Sequence, residues 1–144
     1  MAWSPQLAAR WPRHVFDARW DLLPSLAESA SAFLRSLDLF VYSLHPSCRE
    51  SWGRAVVEAM LSGAVPLVPA GEQHHLESLI SPGETGFVCR TAADYGRYAR
   101  QLENDPGRRS RLARQARAFA EKHLCNPAHH RDLWRRLFYG SALA

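Results

Sequence analysis

Glu50 and Glu58 are separated by seven residues, Ser51-Trp52-Gly53-Arg54-Ala55-Val56-Val57, and two carboxylates so spaced can grip one ligand at two points. Residues 50–62 read as a helix that is apolar nearly all round, through Ala55, Val56, Val57, Ala59, Met60 and Leu61, and Gly63 stops it in a C′-like position. Such a helix must be buried. Glu58 is then embedded among apolar neighbours, and an ionised carboxylate in that setting is costly unless something polar meets it. The partner is either a protein group or the hydroxyls of a bound ligand. With about 1.5 Å of rise per residue, Glu50 at the helix entrance and Glu58 within it stand roughly 12 Å apart along the axis. That span suits an elongated ligand. Between them, Ser51 to Arg54 occupy the start of the helix, where free N–H groups and the helix dipole attract an anion such as a diphosphate. Gly53 there permits close backbone approach.

The elements that must position these residues alternate in type. Residues 14–18 form a weak candidate strand, and 24–36 a helix with Leu26, Phe33, Leu34 and Leu37 at helical spacing. Leu39-Phe40-Val41-Tyr42 is a continuous run of β-formers, the pattern of a strand covered on both faces of a parallel sheet. After the central helix, Val65-Pro66-Leu67-Val68 reads as the next strand, so residues 38–69 form a βαβ unit. A short helix at 75–80, a turn at Pro82-Gly83-Glu84-Thr85-Gly86 and a strand at Phe87-Val88-Cys89 follow. Residues 92–104 are helical, Asp105-Pro106-Gly107 breaks the helix, and 108–123 resume it. There Leu112, Ala116, Phe119, Ala120 and His123 share one face, with Arg111, Arg114 and Arg117 opposite. A last helix at 129–138 carries Leu133, Trp134, Leu137 and Phe138 on one side. The expected class is α/β: a Rossmann-like parallel sheet flanked by helices, in which the site lies beyond the carboxyl end of a strand.

At 144 residues the chain is the size of one domain, and 47% apolar with 22% charged residues excludes disordered and fibrous classes. No stretch approaches the ~18 apolar residues of a membrane-spanning helix, and residues 1–13 lack the apolar core of a signal peptide, so a cytoplasmic protein is expected. Cys48, Cys89 and Cys125 are too scattered for a disulfide framework or a zinc site and read as reduced thiols. The net charge of +4 is carried almost entirely by arginine, Lys122 being the only lysine. Arg111, Arg114 and Arg117 lie opposite an apolar stripe, as on a solvated helix face, and no helix-turn-helix or zinc finger accompanies them. No nucleic-acid partner is expected. The pairs His74-His75 and His129-His130 do not make a metal site, because adjacent residues in regular structure point apart.

The run Glu50-Ser51-Trp52-Gly53, Glu58-Ala59-Met60 and Ser62-Gly63-Ala64-Val65-Pro66 resembles the donor-site signature of retaining GT-B glycosyltransferases of the family-4 type (glycosyl transferases group 1). Gly83-Glu84-Thr85-Gly86 is similar to that family's downstream Gly-x-x-Gly turn, Asn104-Asp105-Pro106 to its closing segment, and Leu37-Asp38-Leu39-Phe40-Val41 to the strand before the motif. The likeness runs over residues 14–138, in order. It implies that Glu50 contacts the donor sugar as the catalytic carboxylate and that Glu58 accepts hydrogen bonds from ribose hydroxyls. Ser51, Trp52, Gly53 and Arg54 complete the substrate site, with backbone N–H groups at Gly53 and Arg54 on the donor's sugar or phosphates. The implied reaction is transfer of a sugar from UDP-, GDP- or another nucleoside-diphosphate sugar to an acceptor that the sequence does not identify. It proceeds with retention and without metal or cofactor.

The connection from Ser43 to Arg49 is longer than the pattern, Gly71 to His75 departs from its Gly-rich turn, and the upstream strands with their diphosphate-binding Arg and Lys have no counterpart before His14. Residues 1–144 are therefore expected to form a single C-terminal donor-binding domain, truncated before its first βα units. The acceptor half is missing, so the chain is inactive alone unless a partner chain supplies the N-terminal domain. The competing reading is a non-catalytic interaction domain derived from such an enzyme.

Overall fold

A computed structural model of the chain describes residues 28–45, 48–71 and 75–140. The chain divides into two compact units, Met1–Phe33 and Leu34–Ala144. Of the first, only residues 28–33 are described, so the expected strand at 14–18 and the start of the helix expected at 24–36 lie outside the described residues. Residues 28 and 29 are not helical, and the described helix, α1 (Ala30–Arg35), begins later than expected, where the Ser29 hydroxyl accepts the Ala32 N–H at 3.2 Å; the unit boundary falls within it.

The second unit is built on a sheet of three parallel strands, β1 (Leu39–Val41), β2 (Val65–Pro69) and β3 (Phe87–Cys89), in that order. Leu39 pairs with Val65, and Leu67 with Phe87. β2 is central and its first four residues are buried, as an apolar run flanked by strands on both sides should be. β1 departs from expectation. It is an edge of the described sheet, its first two residues are only half-buried, and Val41 is 57% exposed, so the apolar run is not covered on both faces.

Side-chain alternation along β2 divides the core between the two faces of the sheet. Val65 and Leu67 join Phe87, Cys89, Leu102 and Leu112 on one side. Val68 joins Val56, Val57, Met60, Leu76, Leu79, Ala116 and Ala120 on the other. The first cluster receives α3 (Ala92–Glu103); the second receives α2 (Arg54–Ser62) and a 3₁₀ turn, Leu76–Leu79, where a short helix was expected. α4 (Pro106–Phe119) serves both, through Leu112 and Ala116.

Local chemistry sets the helix ends. Thr91 and Asp94 form a reciprocal capping box at the start of α3. Asp105 accepts the Arg108 N–H at 2.8 Å and Pro106 occupies the first turn, so α4 begins ahead of the expected Arg108. α2 ends as predicted: Gly63 takes φ 90°, its N–H reaches the Met60 carbonyl at 3.1 Å, and the Ala64 N–H reaches that of Ala59 at 3.0 Å. α4 runs into a π turn, Ala120–Leu124, that closes with the Cys125 N–H on the Ala120 carbonyl at 2.9 Å. A π turn holds more residues than an α turn and shifts the helical phase. His123, expected on the apolar face, is consequently exposed, with its ring against Phe119 at a centroid distance of 5.0 Å.

The last helix, α5 (Pro127–Tyr139), forms where expected, yet none of its residues is buried. Leu133, Trp134, Leu137 and Phe138 are all exposed.

Candidate functional site

The segment that leads into α2 is not helical. Residues 50–53 form a loop, and the helix begins at Arg54 rather than at Glu50. The reason lies at Gly53, which adopts φ 72°, ψ 42°, a left-handed conformation that interrupts a right-handed helix and that L side chains rarely accept. Leu76 and Leu79 pack against the bare Cα. A Cβ there would overlap Leu76 Cδ2 and lie 3.1 Å from Leu79 Cδ1. The close approach that Gly53 permits is therefore to the 3₁₀ turn of its own chain. Helical rise no longer fixes the distance from Glu50 to Glu58, because only the last part of that interval is helix.

Glu50 sits in the loop that follows the carboxyl end of β1, half-buried. Tyr42, the residue after β1, donates its hydroxyl to Glu50 Oε2 at 2.8 Å, and the Trp52 N–H donates to Oε1 at 3.2 Å. The carboxyl is held below its ordinary range first by the N–H of Gly53, then by the Tyr42 hydroxyl and the Trp52 N–H, with a smaller contribution from Ser51, against the opposing effect of partial burial. Glu50 is thus a fixed anion at neutral pH. The Gly53 N–H, expected to face a donor, lies close enough to this carboxylate to favour its charge.

Glu58 corrects the expectation of a buried acid. Its sequence neighbours Val57 and Ala59 point inward, but its own side chain is 41% exposed and accepts from Arg54 Nε at 2.8 Å, one turn earlier. The Arg54 side chain is 83% exposed. Of the two partners left open by the sequence, protein group or ligand, the structure supplies the protein group.

The remaining residues fall into place around these two. Trp52 is 46% exposed and is therefore not a core residue. Ser51 is exposed. No side chain caps the first turn of α2, whose first intrahelical donors are Val56 and Val57, both onto the Gly53 carbonyl, so the amides of Arg54 and Ala55 make no bond within the helix. Ser51, Trp52, Gly53 and Arg54 are contiguous around Glu50, and Glu58 lies one turn into α2. Tyr42 was overlooked at the sequence level as the last residue of an apolar strand. Its position at the carboxyl end of a parallel strand, where α/β sheets place ligands, was the available signal.

Among the described residues no three histidines, cysteines or acids converge as metal ligands. No helix among them is long and apolar enough to cross a membrane.

A parallel three-stranded sheet flanked by helices, with an anionic side chain fixed beyond the end of β1, is an α/β architecture of the GT-B kind. Residues 22–119 match the family described as Glycosyl transferases group 1, and the chain belongs to that family. No curated protein matches the chain. Among solved structures, Alr3699/HepE of Anabaena in complex with UDP and glucose superposes with a TM-score of 0.74 at 19% identity, over 92% of this chain and 35% of that one. Its complex with UDP-glucose gives 0.70 at 19% identity, over 90% and 36%. The C-terminal domain of a glycosyl transferase group 1 family protein (LpcC) from Francisella tularensis gives 0.66 at 18% identity, over 84% of this chain and 65% of that one. The chain spans about a third of the HepE chain, and what it shares with these structures is the fold.

Proposed function

We propose that residues 1–144 are the donor-binding C-terminal domain of a retaining GT-B glycosyltransferase of the family-4 type, a cytoplasmic enzyme that transfers a sugar from a nucleoside-diphosphate sugar to an acceptor. In this reading the acceptor half and the first βα units are supplied from outside these residues, and the chain alone does not catalyse transfer. The reading rests above all on one observation: Glu50 is an anion fixed at the carboxyl end of β1, with its oxygens oriented by the Tyr42 hydroxyl and the Trp52 N–H.

Such a carboxylate suits a reaction in which positive charge develops on the sugar as the diphosphate departs, because a pre-oriented charge needs no reorganisation at the moment of reaction. Glu50 faces the reacting sugar, with Ser51 and the exposed Trp52 beside it. The amides at the start of α2, that of Arg54 foremost, receive the donor's phosphates, and metal is not required. Glu58 accepts from the ribose hydroxyls. Its present partner is weak competition, since an exposed i,i+4 ion pair contributes only about 0.3–0.5 kcal/mol. The UDP complexes of HepE, which has the same fold, support a uridine nucleotide, with GDP or another nucleoside diphosphate as the alternative.

Calorimetric titration of UDP and GDP into the intact gene product tests this. Glu58→Ala is expected to weaken nucleotide binding by about tenfold, the loss of one hydrogen-bonded charged acceptor. Undiminished affinity would remove Glu58 from the site.

The exposed apolar side of α5 favours a second reading, a non-catalytic interaction domain derived from such an enzyme. It predicts a stable complex on co-purification and no sugar transfer in any pairing.

A further inference from the structure

We propose that Tyr42 is a positioning residue of the donor site, its hydroxyl orienting Glu50 while Tyr95 holds its backbone at a place in the sheet ladder that Pro69 leaves open. This rests on the reading of Glu50 as the donor-site carboxylate.

The ladder itself carries the inference. The Val65 N–H donates to the Asp38 carbonyl at 3.0 Å and the Tyr42 N–H to the Leu67 carbonyl at 2.9 Å, the regular alternation of a parallel pair. Two residues further along β2, the next N–H directed toward β1 would come from position 69 and would meet the Tyr42 carbonyl. Position 69 is proline, which has no N–H. The Tyr42 carbonyl instead accepts the hydroxyl of Tyr95, from α3, at 2.9 Å. Burial, reinforced by the Cys89 thiol, pushes the Tyr95 phenol up to about 12, so it stays protonated and donates throughout the physiological range.

Tyr42 is thereby held at two ends. Its carbonyl is fixed to α3, its ring stacks on Phe40 at 5.9 Å, and its hydroxyl reaches Glu50 at 2.8 Å. Burial raises the Tyr42 phenol first, and the adjacent Glu50 and the Cys48 thiol raise it further, so this hydroxyl is also a donor at any working pH. Among the described residues, Glu50 and Cys48 are the charged or titratable groups that shift the Tyr42 phenol, and Tyr95 of α3 bonds its carbonyl. A loop carboxylate held by amides of its own loop is in this way also tied to the sheet and to α3.

The test is the titration midpoint of the Glu50 carboxyl carbon, followed by NMR in the intact protein, together with UDP-glucose affinity. Tyr42→Phe is expected to raise the midpoint and to weaken UDP-glucose binding about threefold to tenfold, the effect of one hydrogen bond to a charged group. Tyr95→Phe should shift both the same way by less. Pro69→Ala added to Tyr95→Phe returns an N–H to the ladder and should restore both values. A Glu50 midpoint in Tyr42→Phe equal to that of the unaltered protein overturns the proposal, as does a Pro69→Ala/Tyr95→Phe double variant no better than Tyr95→Phe alone. If instead Glu50→Gln leaves UDP-glucose affinity intact, it is the donor-site reading of Glu50 that fails, a result separate from the carboxyl midpoints.

Discussion

α2, apolar nearly all round, and α5, apolar along one side, end in opposite situations. Val56, Val57, Ala59 and Met60 of α2 are buried against the sheet and the 3₁₀ turn, whereas Leu133, Trp134, Leu137 and Phe138 of α5 remain exposed. The ends do not explain it. α5 has the better-specified start, with Asn126 accepting from the Ala128 and His129 amides and Pro127 in the first turn, while α2 begins at an uncapped Gly53. Local signals determine that a helix forms, and periodicity that one face seeks cover. Neither identifies what covers it. For α2 that is β2 and its neighbours; for α5 it is nothing among the described residues.

The comparison is broken or sharpened most strongly by matched truncations. Met60→Ala removes a fully buried side chain and is expected to destabilise the chain by about 2–5 kcal/mol in chemical denaturation. Leu137→Ala, at a position 71% exposed, should change stability by no more than about 0.5 kcal/mol. Comparable losses in the two variants would mean that α5 is covered in solution.

Much of the fold was legible in the sequence because the relevant signals are local. The apolar runs at Leu39 to Val41, Val65 to Val68 and Phe87 to Cys89 gave the strands, and Gly63 and Asp105-Pro106 gave the breaks. The candidate site was legible by composition and spacing but not by geometry. The apolar residues around Glu58 concealed that the acid itself points outward to Arg54, because nearness in sequence is not nearness on a helix face. Nor could spacing show that Gly53 takes a left-handed turn, since that depends on Leu76 approaching from more than twenty residues away. The Tyr42 to Tyr95 bond joins residues 53 positions apart and depends on the ladder register at Pro69, which no local pattern contains.

A smaller effect is expected at the entrance to α2. Gly53→Ala must place a side chain at φ 72° and displace Leu76, for a cost of about 1–3 kcal/mol by denaturation. If Gly53→Ala is neutral, the loop at residues 50–53 is not the fixed turn described, and the helix can extend back toward Glu50 as the sequence alone implies.

The smallest effect is electrostatic and separates the two helix entrances by pH. The start of α2 is held by Glu50 through the amides of Gly53 and Trp52, and that of α5 by the Asn126 carboxamide, which does not titrate. Because folding lowers the Glu50 pKa below its ordinary value of 4.5, the unfolded chain binds the proton more readily. The stabilisation is therefore complete above that ordinary value and is lost as pH falls through the lower, folded one. Hydrogen exchange in the first turn of α2 should accordingly accelerate relative to that of α5 between about pH 6 and about pH 3, and Glu50→Gln should abolish the difference. Asp94 loosens in the same direction: partial burial opposes its charge, but the N–H groups of Arg90 and Thr91 keep its pKa low. Its bonds lie at the start of α3, so the Glu50→Gln comparison isolates α2. A constant ratio of exchange rates across this range would show that Glu50 does not secure the entrance to α2.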